Sequence, residues 1–325
     1  MGGCWQAAGL DVGYVGRKAF ADDIRSHGLT VSDYSGWEAR LPPEAVDYRC
    51  EAEVLADADI IALCVKSGAT QGAAKEIAAY ARPGATVISF QNGISNVEVL
   101  ERALGGRFEV VRGMVPYNVA YLGEGRFHKG VAGLLYAEDR PETRRLAQAI
   151  GQSPAALKLA EDMLGMAWGK LLINLNNAVN ALSGRTLVEQ LHQRDYRRVV
   201  AASQREGLRL LKQAGIEPAK VGAVGPRLLP TVIGSPDWLF RNLFMKAWKI
   251  DSRARSSMAD DLAAGRKTEI DHINGEFVRL AERLGENAPV NRKVVELIRK
   301  AEAGAQCWPP AELRREVLGR EVLGG

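Results

Sequence analysis

The chain has 325 residues, of which 46% are hydrophobic and 25% charged, and a formal net charge of +4. That length suggests two domains of ordinary globular composition. The small positive excess suits anionic small ligands and falls well short of the basic footprint of a nucleic-acid binder. No apolar run approaches the roughly 20 residues of a membrane-spanning helix.

The four cysteines (Cys4, Cys50, Cys64, Cys307) and four histidines (His27, His128, His192, His272) are dispersed and form no CxxC pair. A metal is therefore not expected, and reduced thiols of a cytoplasmic protein are. The start, Met1-Gly2-Gly3-Cys4-Trp5, lacks the basic segment and apolar stretch of a secretory signal.

In chain order, Gly2 to Gly9 reads as a helix closed by a glycine. Asp11 to Arg17 reads as a strand ending in a turn. Ala58 to Lys66 is a short apolar run, as expected of a strand covered on both faces. A helix over Thr70–Ala81 follows, closed by Arg82-Pro83-Gly84, and then a strand over Ala85–Phe90 that ends at Gln91-Asn92-Gly93. Further strand candidates are Phe108–Val111 and Val131–Tyr136. This alternation predicts a parallel sheet with helices on its faces, an α/β Rossmann-like domain over residues 1–160.

From about Arg140 the spacing turns helical, with long stretches at Ala160–Leu182, Tyr196–Ala214 and Arg266–Leu284 and no strand candidate of comparable quality. An all-helical second domain is expected over 161–304. The run from Pro218 to Pro236 reads as an irregular connection within it. The tail, 305–325, echoes "REVLG" at Arg315–Gly319 and Arg320–Gly324 and reads as a terminal helix that frays or is disordered.

A dinucleotide-binding sheet opens with a strand, a G-x-G-x-x-G turn and a helix whose N-terminus holds the pyrophosphate. No such complete motif precedes the first strand here. Gly2 takes the place of the third glycine, so the first strand and most of the glycine-rich loop, roughly ten residues, are expected to be missing. Arg17 falls about 20 residues beyond the fingerprint, where the residue that reads the ribose is found. The other reading is a fold that never had these residues.

Arg17 sits just past the second strand of such a fold. An acidic residue there bonds the ribose 2′-hydroxyl, whereas an arginine accommodates a 2′-phosphate, which favours NADPH over NADH. Lys18 adds charge; a solvated surface arginine is the plainer alternative. Lys66 and Asn92 lie at the carboxyl ends of apolar strands, the edge where ligands bind, although Asn92-Gly93 is also a common turn. Lys170, Asn174 and Asn177 follow i, i+4, i+7 spacing on one face of an otherwise apolar helix. A lysine and two amides there need partners or a ligand. Desolvation would lower the lysine's pKa and suit it to donate a proton near neutrality, unless it snorkels to solvent. Ser257, Asp261 and Glu269 recur at spacings of four and eight, a roughly common helix face, or the solvated side of an amphipathic helix.

Lys170-Leu171-Leu172-Ile173-Asn174, with Asn177 and Ala181-Leu182-Ser183-Gly184, resembles the catalytic helix of the ketopantoate reductase family. Ser256-Ser257-Met258, then Thr268-Glu269-Ile270-Asp271 and Ile273-Asn274-Gly275, is similar to that family's second signature. Val15-Gly16-Arg17, Cys64-Val65-Lys66 and Gln91-Asn92-Gly93 match in order, so the resemblance covers residues 2 to about 302. It implies NADPH-dependent reduction of 2-dehydropantoate to pantoate in pantothenate biosynthesis. Lys170 would be the general acid. Asn92, Lys170, Asn174, Asn177 and Ser257 would bind substrate. Gly2, Arg17, Lys66, Asn92 and Glu269 would contact or border the cofactor.

Two departures stand out. Most of the glycine loop is absent, which bears on pyrophosphate binding. The second asparagine comes one residue earlier than the family's usual spacing of four; strict counting from Asn174 lands on Ala178, and alignment through Ala181–Gly184 selects Asn177. The alternatives are a reductase of another 2-keto acid or an opine-type substrate, or a truncated, non-catalytic paralogue serving as a binding or dimerisation module. The expected partner is a small-molecule 2-keto acid, compatible with a homodimer, with neither nucleic acid nor membrane. Upstream of the recorded Met1, an in-frame apolar strand and G-x-G-x are expected.

Overall fold

The computed structural model describes residues 1–245, 251–304 and 307–319. It separates into two compact units, Met1–Met163 and Leu164–Gly325.

In the first unit, helix α1 (Gly2–Ala7) is short, and Gly9 at φ 94° carries the chain away from it. Glycine is required at its start for a packing reason. A Cβ on Gly2 would lie 2.7 Å from Tyr14 Cε1, and one on Gly3 2.7 Å from Val31 Cγ1. The helix thus rides directly on strands β1 (Gly13–Val15) and β2 (Leu29–Asp33). After β1 come α2 (Lys18–His27), then β2, β3 (Glu38–Leu41) and β4 (Asp47–Arg49). Strand β5 (Ile60–Leu63), helix α3 (Thr70–Tyr80), β6 (Thr86–Ser89), α4 (Asn96–Leu104) and β7 (Glu109–Met114) form successive parallel strand–helix–strand units. The unit closes with β8 (Val119–Tyr121), β9 (Arg126–Lys129), β10 (Leu135–Glu138), α5 (Pro141–Ile150) and β11 (Leu157–Ala160).

The main sheet has the order β11-β10-β7-β6-β5 and is parallel except where β10 runs against β7. A continuous apolar run makes sense in its centre, because every residue of β6 is buried and Val87 and Ile88 have no exposure on their opposite faces. Ile77, Leu100 and Leu104 cover one face; Trp5, Leu146 and Ile150 cover the other, where Trp5 Nε1 also donates to the Ala155 carbonyl at 3.0 Å. Strand β1 pairs in parallel with β4 alone, and β1 and β5 are each the edge of their own sheet.

The strand–helix alternation thus folds as a Rossmann-like α/β unit. The sequence reading missed a strand past Arg140, where β11 pairs in parallel with β10. It also missed a second sheet, β3-β2-β9-β8. The signal for β2 was present: its residues alternate buried and half-buried, and Asp33 Oδ1 accepts from Ser35 N at 2.9 Å and Trp37 N at 3.3 Å, the side-chain-mimicked turn that aspartate favours.

In the second unit the described residues are helical, with no strand. Its elements are α6 (Met163–Ser183), α7 (Leu187–Leu191), α8 (Arg194–Gln213), α9 (Leu229–Ile233), α10 (Ser257–Ala263), α11 (Asn274–Leu284), α12 (Pro289–Glu302) and α13 (Pro310–Leu318). Helix α6 buries Trp168, Leu171, Leu172, Leu175, Ala178, Val179 and Leu182, a helical stripe that fixes which side of it stays accessible. Arg197 on α8 is wholly buried. Its guanidinium donates to the carbonyls of Leu191 (2.8 Å), Ile233 (2.9 Å) and Ser235 (2.9 Å), pairs with Asp237 at 2.8 Å, and lies 4.3 Å over the Phe240 ring. This one side chain organises the irregular segment around α9.

The tail reading is corrected in part. Helix α13 docks on α8, with Leu313 fully buried, Tyr196 Oη donating to the Trp308 carbonyl at 2.7 Å and Arg314 paired with Asp195 at 3.2 Å. The second "REVLG", Arg320–Gly324, lies outside the described residues. None of the described helices is long and apolar enough to cross a membrane.

Candidate active site

Each unit carries its own group of the predicted residues. In the first, Lys66 and Asn92 follow the adjacent parallel strands β5 and β6 at their carboxyl ends. The two loops are tied together. Ser67 Oγ donates to the Asn92 carbonyl at 3.0 Å, Asn96 Nδ2 donates to the same carbonyl at 2.5 Å and to Ser67 Oγ at 3.0 Å, and Gln91 Nε2 reaches the Val65 carbonyl at 3.0 Å. From the next strand, Arg112 Nη1 holds the Ile94 carbonyl at 3.0 Å. Lys66 is exposed and Asn92 half-buried on this fixed edge. Sequence reasoning missed Asn96 and Arg112; the only signal was a buried amide at a helix start, which looks like any cap.

Arg17 is at the end of β1, in the separate two-strand ladder, and the structure does not group it with Lys66 and Asn92. It is exposed, lies 4.9 Å over the Phe20 ring, and has no ion pair among the described residues. Lys18 behaves differently from expectation: its ammonium is taken up by Asp22 at 3.0 Å one helical turn on. Gly2 is the first residue of α1, close against Tyr14.

In the second unit, Lys170, Asn174 and Asn177 are all half-buried on α6. Burial pushes the Lys170 ammonium down to about 8, with the nearby Glu269 carboxylate opposing the shift. The four asparagines of this helix divide cleanly. Asn176 Oδ1 accepts from Gln190 Nε2 at 3.2 Å, and Asn180 bonds Ser256 N at 2.9 Å and the Arg185 carbonyl at 3.0 Å. Asn174 and Asn177 make no side-chain hydrogen bond with a described residue, which leaves two amides available on the Lys170 face.

Ser257 is the exposed first residue of α10, and Ser256 caps that helix by accepting Ala259 N at 3.2 Å. The expected common face of Ser257, Asp261 and Glu269 is not formed. Gly265, at φ 63°, ends α10, and Glu269 stands before a 3₁₀ turn over Ile270–His272. Asp261 is buried and paired with Arg266 at 2.9 Å. The stretch Arg266–Leu284 is therefore two pieces, a turn and α11, and Glu269 meets Lys170 electrostatically from that turn.

Residues 1–141 match the family described as Ketopantoate reductase PanE/ApbA, and residues 162–302 match Ketopantoate reductase PanE/ApbA C terminal. The chain is 26% identical over 313 residues to a 2-dehydropantoate 2-reductase of Archaeoglobus fulgidus, covering 94% of each protein. It is 27% identical to one of Pyrococcus abyssi, covering 93% of this chain and 94% of that one. Among solved structures, a PanE/ApbA family ketopantoate reductase from Ralstonia eutropha superposes with a TM-score of 0.79 at 25% identity, covering 93% of this chain and 94% of that one. D-mandelate dehydrogenase, solved with NADH and anilino(oxo)acetate, shares the fold with a TM-score of 0.75 at 18% identity and the same coverage.

Proposed function

This chain belongs to the ketopantoate reductase family, and from that premise we propose that it reduces 2-dehydropantoate to pantoate with NADPH, using Lys170 as the general acid. The observation that carries this reading is the accessible face of α6, where a lysine lowered to about 8 stands beside two amides that make no side-chain hydrogen bond with a described residue. Such a face suits a small anion that bears a carbonyl. The ammonium offers charge and a transferable proton, and the amides offer donors and acceptors for the carboxylate and hydroxyl of the substrate.

NADPH, when bound, supplies the hydride. Lys170 Nζ gives a proton to the carbonyl oxygen as negative charge develops there, so the products are the 2-hydroxy acid and a neutral lysine that is reprotonated from solvent. Glu269 favours the charged ammonium and keeps Lys170 mostly protonated at neutral pH. Asn174, Asn177 and Ser257 hold the substrate's polar groups. Asn92 and Lys66 border the cofactor.

The cofactor assignment fits the donors present. Arg17 is exposed just past β1 and has no acidic partner among the described residues, so its planar donors suit a 2′-phosphate. Gly2 and Gly3 let α1 pack close against Tyr14 and Val31, the close helix–strand packing for which the fingerprint's third glycine serves. Arg17→Ala is expected to raise the KM for NADPH by about tenfold and leave that for NADH nearly unchanged, since roughly 1.4 kcal/mol of charge-assisted contact is lost only with the phosphate. An equal change for both cofactors would remove this role.

Substrate choice is tested with a panel of 2-keto acids, followed by NADPH oxidation. The highest kcat/KM is expected for 2-dehydropantoate. A preference of about tenfold or more for another keto acid, roughly 1.4 kcal/mol in transition-state stabilisation, would move the protein to that substrate.

A further inference from the structure

We propose that Asn180 is the positioning residue that holds Ser257 in register with the amide face of α6. The proposal rests on the substrate-binding role given to Ser257 above. Asn180 has no exposure and lies about 60° around the helix from Asn177. Both ends of its amide are spent inside the protein: Oδ1 accepts the Ser256 N–H at 2.9 Å, and Nδ2 donates to the Arg185 carbonyl at 3.0 Å. Ser256 is in turn fastened to Asn177, its Oγ donating to the Asn177 carbonyl at 3.1 Å while accepting Ala259 N at 3.2 Å.

The residue before Ser257 is therefore clamped to α6 at two points, and the first residue of α10 inherits its position from them. One clamp is a backbone carbonyl of the amide face itself. The other is the Asn180 side chain, which can be altered without changing Lys170, Asn174 or Asn177. An asparagine is needed because the site calls for an acceptor and a donor on one planar group. An aspartate would keep the acceptor for Ser256 and face the Arg185 carbonyl with a second oxygen.

A double-mutant cycle separates positioning from bulk structure. Asn180→Ala is expected to raise the keto-acid KM by about tenfold, to change kcat and the NADPH KM less than about twofold, and to add nothing once Ser257→Ala is present. Asn180→Asp, which keeps the acceptor for Ser256 and sets a second oxygen against the Arg185 carbonyl, serves if the alanine variant does not fold; its KM increase should likewise vanish in the Ser257→Ala background. Equal factors with and without Ser257 would overturn the proposal and leave the proposed function standing. An unchanged KM in Ser257→Ala alone would overturn the substrate role of Ser257 and this proposal with it.

Discussion

Lys170→Ala is expected to lower kcat for keto-acid reduction by roughly two to four orders of magnitude, the range for losing a general acid. The pH dependence supplies the sign. Reduction consumes the proton on Lys170, and burial has brought that group down to about 8. The wild-type rate should therefore hold at neutral pH and fall as pH rises through about 8, and the alanine variant should lose that limb. Lys170→Arg keeps a charge but cannot release its proton in this range, so it should bind the keto acid and stay slow. A variant whose loss lies only in KM, with kcat and the alkaline limb retained, would make Lys170 a binding group.

The second large effect is structural. Arg197→Ala removes a fully buried guanidinium and leaves the carbonyls of Leu191, Ile233 and Ser235 without their donor. Breaking a buried network of this kind costs about 3–5 kcal/mol. For a unit of this size that corresponds to a fall in Tm of roughly 6–20 °C. Thermal melts of the intact chain would read it, and a Tm within about 2 °C of wild type would contradict the account. There is a pH signature as well. The Arg197 hydrogen bond is the leading cause that holds the Asp237 carboxyl below the usual carboxylate range. Its contribution is present above the ordinary carboxylate pKa and is lost as pH falls through the depressed one, so Arg197→Ala should lose less stability than wild type across that range.

Much of this was legible in the sequence where a local period decided the outcome. The apolar run at β5 and β6 and the stripe of α6 were read from spacing, because burial on two faces or on one leaves different patterns. The pieces that escaped depend on contacts far along the chain. Strands β8 and β9 are only three and four residues long and gain their place by pairing, β8 with β9 and β9 with β2 about a hundred residues earlier. Arg197 sits among Arg194 and Arg198, and nothing local distinguishes the buried arginine from its neighbours. The break at Gly265 was hidden because polar residues at helical spacing continue across it, and only the pairing of buried Asp261 with exposed Arg266 across the turn marks it. Asn174 and Asn177 were picked out by face, and it took the structure to show that Asn176 and Asn180 are already engaged.

The ties around the Asn92 carbonyl carry a consequence for how a ligand would be received. With Ser67, Asn96 and Arg112 fixing both loops beyond β5 and β6, the conformational entropy of ordering that edge is spent during folding, not during association. A molecule reaching Asn92 meets a preorganised surface and keeps more of its contact energy as affinity, because little of it goes to immobilising the backbone that receives it.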